Sequence, residues 1–433
     1  MSAIAARRER CRRKVTAVPD TENESQDAIP PGRRFGLLDG VRVLDLTHFL
    51  AGPFGSMVLA DLGADVLKVE RLTGDTTRGT PPYFFGGDSA YFLSINRNKR
   101  SIALDIRSEQ GQEVLRRLIA KSDIVLDNLR AEQREALGLS FPHLERVNPL
   151  IISCSVSGFG SDGPYSDRPA YDIIVEALAG VMSVTGPVGG PSVRAGVPIG
   201  DITAGIYAAV GALAGLEYRR RTGRGQHIDV SMLDSQISLT SYLAQYYLTG
   251  GAVPTHQGRA HLSIPTYNTF TTRDLGELVI AANTNEMWAA LCSVLGRDDL
   301  PADPRFRTNP DRLAHQDELL PELRAEFARW DLADLYQALV DAEVPAAPIN
   351  PLDVALRDPQ VRHRDMVVKV RHRSGADFAT VGVPIKADDA AGGEFFSPPG
   401  LGADSEDVLR ELDYSDEEIG DLRDLGVVTF GAV

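Results

Sequence analysis

Cysteine is scarce in this chain: three among 433 residues, Cys11, Cys154 and Cys292. They are too far apart for a disulfide framework or a metal-binding spacing. The eight histidines are scattered, without Asp or Glu at ligand intervals, so no metal site is expected. Long apolar runs are missing too. The longest, residues 202–216, falls short of the ~20 residues that a membrane span needs. Positive charge is in deficit: 45 Lys and Arg against 60 Asp and Glu leave a net charge of −15. That balance argues against a nucleic acid or an anionic membrane as partner, although local arginine clusters can still hold an anionic ligand. No serine stands in a G-x-S-x-G elbow. The segment GFGSDG at 158–163 matches the dinucleotide fingerprint, but Pro164 and Pro169 follow it. No helix can open there to receive a pyrophosphate, so an NAD dehydrogenase is not indicated.

What remains is an ordinary globular composition, 43% hydrophobic and 24% charged. The length favours more than one domain. The first 35 residues differ from the rest. RRERCRRK at 7–14 is followed by an acidic stretch at 20–27 and by Pro30 and Pro31, with no apolar core of the secretory kind. A disordered tail is expected there; an organellar address is the alternative, weakened by the acidic stretch. From Gly40 onward, short apolar strands alternate with helices. Strands are expected over 41–47, 65–70, 101–105, 123–127 and 150–156, and helices over 53–62 and 108–121. Two apolar helices follow, over 172–184 and 202–219. This is the pattern of a parallel sheet covered on both faces. TGRG at 222–225 breaks the chain, 226–232 reads as a strand, and a hairpin turns near DLGE at 274–277. PAAP at 345–348 reads as a linker. Short strands follow at 367–370 and 380–383, and a last helix opens on the capping box SDEE at 415–418. The expected fold class is α/β: a doubly wound, Rossmann-like large domain built from both chain ends, with an inserted smaller α+β domain. Its parts are the tail 1–35, large-domain segments 36–225 and 346–433, and a small domain 226–345.

One acidic residue stands out. Asp201 lies in VRAGVPIGDITAG at 193–205, between an extended glycine-rich run and a long apolar helix. Asp is a preferred N-cap, and a plain cap is the simplest account of it. The positive helix end and its free N–H groups favour the ionised form. An ionised carboxylate is a nucleophile that needs no partner base.

Five stretches together carry a family resemblance: LDGVRVLDLTH at 38–48, AGP at 51–53, DLGADVLKVER at 61–71, NRNKRSIALD at 96–105 and TGRGQ at 222–226. From about residue 37 to its C-terminus, the chain resembles the class III coenzyme A transferases, which include formyl-CoA and carnitine CoA transferases. The resemblance implies that Asp201 is the catalytic aspartate. It would attack an acyl-CoA thioester to form a mixed anhydride, take up CoA as an aspartyl-CoA thioester, and pass it to an acceptor acid in reverse. No ATP and no tightly bound cofactor are implied; the CoA thioester is a substrate. The matching CoA-binding positions are Ala51, Arg71, Leu104, Asp105, Ile106, Arg107, Asn128, Leu129, Arg130, Arg168 and Tyr171. Four of these are arginines suited to phosphate. At one position the chain departs from the family: formyl-CoA transferase has an arginine where Ala136 stands here, and Arg134 is the nearby cation.

Racemases acting on alpha-methylacyl-CoA have a similar aspartate but pair it with a histidine at the position of Tyr171. Tyrosine, with a pKa near 10, is a poor base at neutral pH. A non-catalytic acyl-CoA-binding protein would require a lost nucleophile, and Asp201 is present. On the substrate side, formyl-CoA transferase has glutamine where Leu50 stands, and its glycine-rich substrate loop is not found. GRAHLSIPTY at 258–267 and NTN at 283–285 look most like transferases that use succinyl-CoA with glutarate, hydroxymethylglutarate, itaconate or malate. Leu50, Arg259 and His261 are the substrate candidates. The family's interlocked homodimer and a cytoplasmic location complete the expectations.

Overall fold

The computed structural model describes residues 32–388 and 392–431. The charged segments at 7–14 and 20–27, and Cys11, lie outside them.

The large sheet is built from β1 (Arg42–Asp45), β2 (Asp65–Glu70), β3 (Lys99–Leu104), β4 (Ile124–Asp127), β5 (Ile152–Ser157) and β6 (Gln226–Ser231). All six are parallel, in the order β3-β2-β1-β4-β5-β6, which is the doubly wound order. The connecting helices include α1 (Ala51–Asp61), α2 (Ala90–Ile95), α3 (Glu109–Ala120), α4 (Asp172–Leu178) and α5 (Ile199–Thr222). Alternation along each strand sends Val43 and Val66 to one face, against α1 and α5. Leu44 and Leu67 point to the other face, against α3 and helices near the C-terminus. Cys154 is buried core in β5.

Beyond the sheet come α6 (Met232–Leu239) and α7 (Ser241–Gly250), then a smaller unit. Its antiparallel strands β7 (Tyr267–Thr271), β8 (Glu277–Ala281) and β9 (Ala346–Pro348) pair in that order. With α8 (Asn285–Val294), α9 (Gln316–Phe327) and α10 (Leu332–Asp341) they enclose a separate core around Trp288, Phe270, Phe327 and Leu335. The chain then forms the hairpin β10 (Val367–Arg371) and β11 (Asp377–Val381), and the helices α11 (Ser405–Glu411) and α12 (Asp416–Asp424). The last strand, β12 (Val428–Thr429), joins the large sheet antiparallel to β3. Both ends of the described chain therefore contribute to the large domain.

Four expectations are corrected. The segment 226–232 does not open the smaller unit; β6 is the edge strand of the large sheet, because Gln226 continues the ladder from Ile152. PAAP at 345–348 is not a free linker, since its backbone pairs with Leu278, Val279 and Ile280. The tail cannot run to residue 35, because Arg33–Phe35 pairs with Gly392–Glu394 and Phe35 is buried beside Val368 and Phe395. The helix expected over 172–184 is interrupted at Gly180, whose φ of 82° suits glycine. A fifth point concerns α5. At 24 residues it is long and apolar enough to cross a membrane by length and composition, although the run 202–216 is not. Its buried residues are small ones, Gly200, Ala204, Gly205, Ala208, Ala209, Ala212 and Gly215. They let α1 and the sheet approach closely.

Candidate active site

A doubly wound sheet opens a crevice where its strand order reverses, here between the carboxyl ends of β1 and β4. One hydrogen-bonded clamp bridges it. The Asn128 side chain accepts from the His48 N–H at 3.0 Å and donates to the His48 carbonyl at 2.8 Å. The next residue, Phe49, has φ 63°, which is strained for a bulky side chain and a feature of functional loops. Its ring meets Tyr171 edge-on at 6.2 Å. Leu50, which is buried, then sits at the N-cap of α1, and buried Ala51 is its first residue.

A buried ionic lattice holds this loop from below. Asp45 accepts from the Thr47 N–H and hydroxyl and from the Ser56 hydroxyl. Lys99 Nζ donates to Asp45 at 3.1 Å, to the Pro53 carbonyl at 2.9 Å and to Asn96 at 2.8 Å. Lys68 Nζ donates to the Thr47 carbonyl at 2.8 Å and pairs with Asp75 at 3.0 Å. Burial works against the Asp45 charge, but Lys99, Lys68 and the hydroxyls outweigh it and hold the carboxyl down to about 2.

The helix that carries Asp201 crosses α1 at two glycines. A Cβ on Gly205 would stand 2.5 Å from the Ala51 carbonyl oxygen, and one on Gly55 would stand 2.7 Å from the Gly205 carbonyl oxygen. Backbone therefore lies on backbone, and the start of α5 is drawn to the start of α1. Asp201 is the third residue of α5, not its cap; Pro198 holds the N-cap position. The capping carboxylate comes from elsewhere. Asp172, the first residue of α4, accepts from the Gly200 N–H at 2.8 Å and the Asp201 N–H at 3.2 Å. The Asp201 side chain has no hydrogen-bond partner among the described residues. The expectation that the helix end favours the ionised form of Asp201 is corrected accordingly. Burial, and then the Asp172 charge, push its carboxyl up to about 7. Tyr91 on α2 is close enough to sense it: burial raises the phenol's pKa first, then Asp201, Asp75 and Asp172.

The CoA-binding candidates fall on one edge of the sheet, each at or after the carboxyl end of a strand. Ala51 follows β1, and Arg71 directly follows β2. Leu104 is the buried last residue of β3 and leads into Asp105, Ile106 and Arg107, where Asp105 accepts the Arg107 N–H at 3.1 Å. Asn128, Leu129 and Arg130 follow β4, and Arg168 and Tyr171 follow β5. Arg71, Arg107, Arg130 and Arg168 are exposed and form no ion pair among the described residues. Arg168 lies over the Tyr165 ring at 3.6 Å. Arg134 is different: it is buried, with Nε 4.0 Å from Asp127. Burial raises the Asp127 pKa to about 6, although Arg134 and the hydrogen bonds from Ser155 and the Leu129 N–H oppose it.

Leu50 is at the crevice, but the other two substrate candidates have partners elsewhere. Arg259 is ion-paired with Glu277. His261 is stacked between Tyr242 at 5.6 Å and Tyr267 at 5.5 Å. Their segment still bears on the site, because Gln257 and Gly258 bond to the carbonyls of Val184 and Gly186, on the loop that leads to α5. His256 Nε2 lies 3.0 Å from Ser192 Oγ on that loop. Sequence reasoning missed Asp172, Tyr91, Phe49 and His256. Only Asp172 left a local signal, as an acidic residue at the start of an apolar helix. Among the described residues, no cluster of three or more His, Cys, Asp or Glu could hold a metal.

The class that this fold and site define is a doubly wound α/β protein with exposed arginines at or after its strand ends and the carboxyl of Asp201 near the start of a long helix. The model of CoA-transferase family III matches residues 38–405, and the chain belongs to that family. It is similar to the succinyl-CoA:glutarate CoA-transferase of Homo sapiens, 38% identical over 90% of this chain and 90% of the relative. It is also similar to the succinyl-CoA:mesaconate CoA-transferase of Haloarcula marismortui, 38% identical over 81% of this chain and 90% of that protein. Among solved structures, a CAIB/BAIF family protein from Brucella suis aligns with TM-score 0.78 and 35% identity, covering 88% of this chain and 100% of the other. The protein is an enzyme that transfers CoA.

Proposed function

We propose that this enzyme moves CoA from succinyl-CoA to a second C4–C6 dicarboxylate through covalent intermediates on Asp201. The observation that carries the reading is the presentation of Asp201. Its backbone is gripped by Asp172, while its side chain has no hydrogen-bond partner among the described residues, on a helix whose start lies against the start of α1. A carboxyl that titrates near 7 is about half ionised at neutral pH, and its partial desolvation leaves it reactive. The carboxylate attacks the thioester carbonyl and expels CoA thiolate, giving an acyl-aspartyl anhydride. The thiolate then attacks the aspartyl carbonyl, frees the donor acid and leaves aspartyl-CoA. The acceptor carboxylate runs the two steps backward. Covalent catalysis divides one exchange into easier parts.

The donor and acceptor follow from the relatives' names, which pair succinyl-CoA with glutarate and mesaconate. The exposed arginines Arg71, Arg107, Arg130 and Arg168 are assigned to the phosphates and pyrophosphate of CoA. Arg134, turned toward Asp127, does not replace the arginine missing at Ala136. A steady-state screen of succinyl-CoA against acids tests the reading. Glutarate or a similar dicarboxylate is expected to lead. A tenfold preference for a monocarboxylate in kcat/KM, about 1.4 kcal/mol, overturns the substrate while leaving the transferase in place.

A further inference from the structure

α4 carries two carboxyls four residues apart, on one helical face. Asp172 holds the first N–H groups of α5. Glu176 is fully buried, and its Oε2 accepts the Ala195 N–H at 2.9 Å, on the loop that enters α5. Its other oxygen, Oε1, is buried without a hydrogen-bond partner among the described residues. Gln236 from α6 is fully buried beside the start of α5, with both amide atoms unpartnered among the described residues. A Cβ on Gly200 would stand 2.0 Å from the Gln236 Nε2 and 2.9 Å from Asp172 Oδ1, so the amide points into this cluster.

Three carboxyls, Asp172, Glu176 and Asp201, thus meet at one helix start. Ionised carboxylates four apart on a helix repel, and close like charges resolve this by keeping a proton. Asp172, with two N–H donors on one oxygen, is suited to carry the charge. Glu176, with one donor and a buried bare oxygen, is suited to carry the proton. We propose that Glu176 is a positioning residue that works as a neutral acid, holding its proton toward Asp172 and so fixing the loop and helix start that present Asp201 without a third negative charge. Burial, then the Asp172 contact, raises the Glu176 pKa; the Ala195 N–H and Arg194 oppose this. The groups that face Glu176 are Asp172 on α4, Arg194 and the Ala195 N–H on the loop, Gln236 on α6, and Asp201 beyond Asp172.

The inference rests on Asp201 as nucleophile. Its test is the pH dependence of kcat and KM for the full chain with succinyl-CoA and glutarate. Wild type should lose kcat at alkaline pH, as Glu176 ionises. Glu176→Gln, which keeps a neutral donor, should stay within about threefold of wild type at pH 7 and lack that alkaline fall; Glu176→Ala should lose at least tenfold in kcat with little change in KM. An equally damaged Glu176→Gln, at a melting temperature matched to wild type, overturns the proposal, and so does an unchanged alkaline fall. Infrared spectroscopy gives a second readout that does not depend on turnover. In an Asp201→Asn background at pH 7, the band of buried protonated carboxyls should lose intensity on adding Glu176→Gln; an unchanged band overturns the proposal. Mass spectrometry of the wild-type peptide bearing CoA separates this from its premise, because an adduct on a residue other than Asp201 overturns the nucleophile and leaves the infrared result standing.

Discussion

At the scale of single residues, the burial of the Asp201 carboxyl costs stability. A carboxyl whose pKa rises on folding, here from 3.8 to about 7, binds its proton more tightly folded than unfolded. Folding is therefore unpenalised below about pH 3.8, increasingly penalised up to about 7, and evenly penalised above. Asp201→Asn should abolish CoA transfer yet raise stability at pH 8 by about 2–4 kcal/mol, since each pKa unit is worth ~1.4 kcal/mol. Melting curves at pH 8 and pH 4 check this, with the gain shrinking at the lower pH. Wild-type kcat/KM should in turn fall as pH drops below about 7, as the proposed nucleophile takes up its proton. The exposed arginines are proposed to act at the other end of the substrate. Arg107→Ala should raise KM for CoA esters with a much smaller effect on kcat, a loss of about 1–3 kcal/mol as for charge-assisted bonds. A pure kcat defect in steady-state assays contradicts the phosphate assignment.

Among elements, the decisive contacts are those that hold the β1–α1 loop against α5. Lys99 is the centre of the lattice below, with Asp45, Pro53 and Asn96 all within 3.1 Å of its Nζ. Lys99→Met removes one partner and strands the Asp45 charge in the interior. The expected loss is about 3–5 kcal/mol, typical of breaking a buried pair. Because the same lysine anchors the first turn of α1, succinyl-CoA KM should rise as well. Chemical denaturation and kinetics of one preparation test both; a variant as stable as wild type refutes the lattice's role. Backbone contact at Gly55 and Gly205 works in the same direction, since neither site has room for a side chain.

On the scale of the whole molecule, several helices expose apolar side chains. Ile173 and Ile174 on α4, Ile206, Tyr207 and Val210 on α5, and Tyr246 and Tyr247 on α7 are exposed apolar side chains. They support the proposal of a homodimer, because large exposed apolar patches mark interaction sites. Light scattering at micromolar concentration should report twice the chain mass of 46.9 kDa. Val210→Asp should shift the protein toward monomer. A wild-type monomer at that concentration sinks the dimer.

Much of this was readable in the chain itself. Strand–helix alternation from Gly40 to Val156 dictated the parallel sheet, because a period of two and a helical stripe leave one compact way to bury both. Gly223, at φ 67° beyond the last turn of α5, marked its own role as a helix stop. Ser415 and Glu418 form the capping box that their spacing announced. Asp201 was conspicuous because a carboxylate at the mouth of an apolar helix needs a reason. The rest depended on residues far apart in sequence. That β6 closes the large sheet, and that PAAP pairs as a strand, follow from partners some 70 residues away in each case, Ile152 for Gln226 and Leu278 for Pro348. Which carboxylate caps α5, and which way its charge moves the Asp201 pKa, was likewise decided by folding. Local sequence determines propensity and period; desolvation and charge proximity exist only once the chain has brought Asp172, Glu176 and Asp201 to one place.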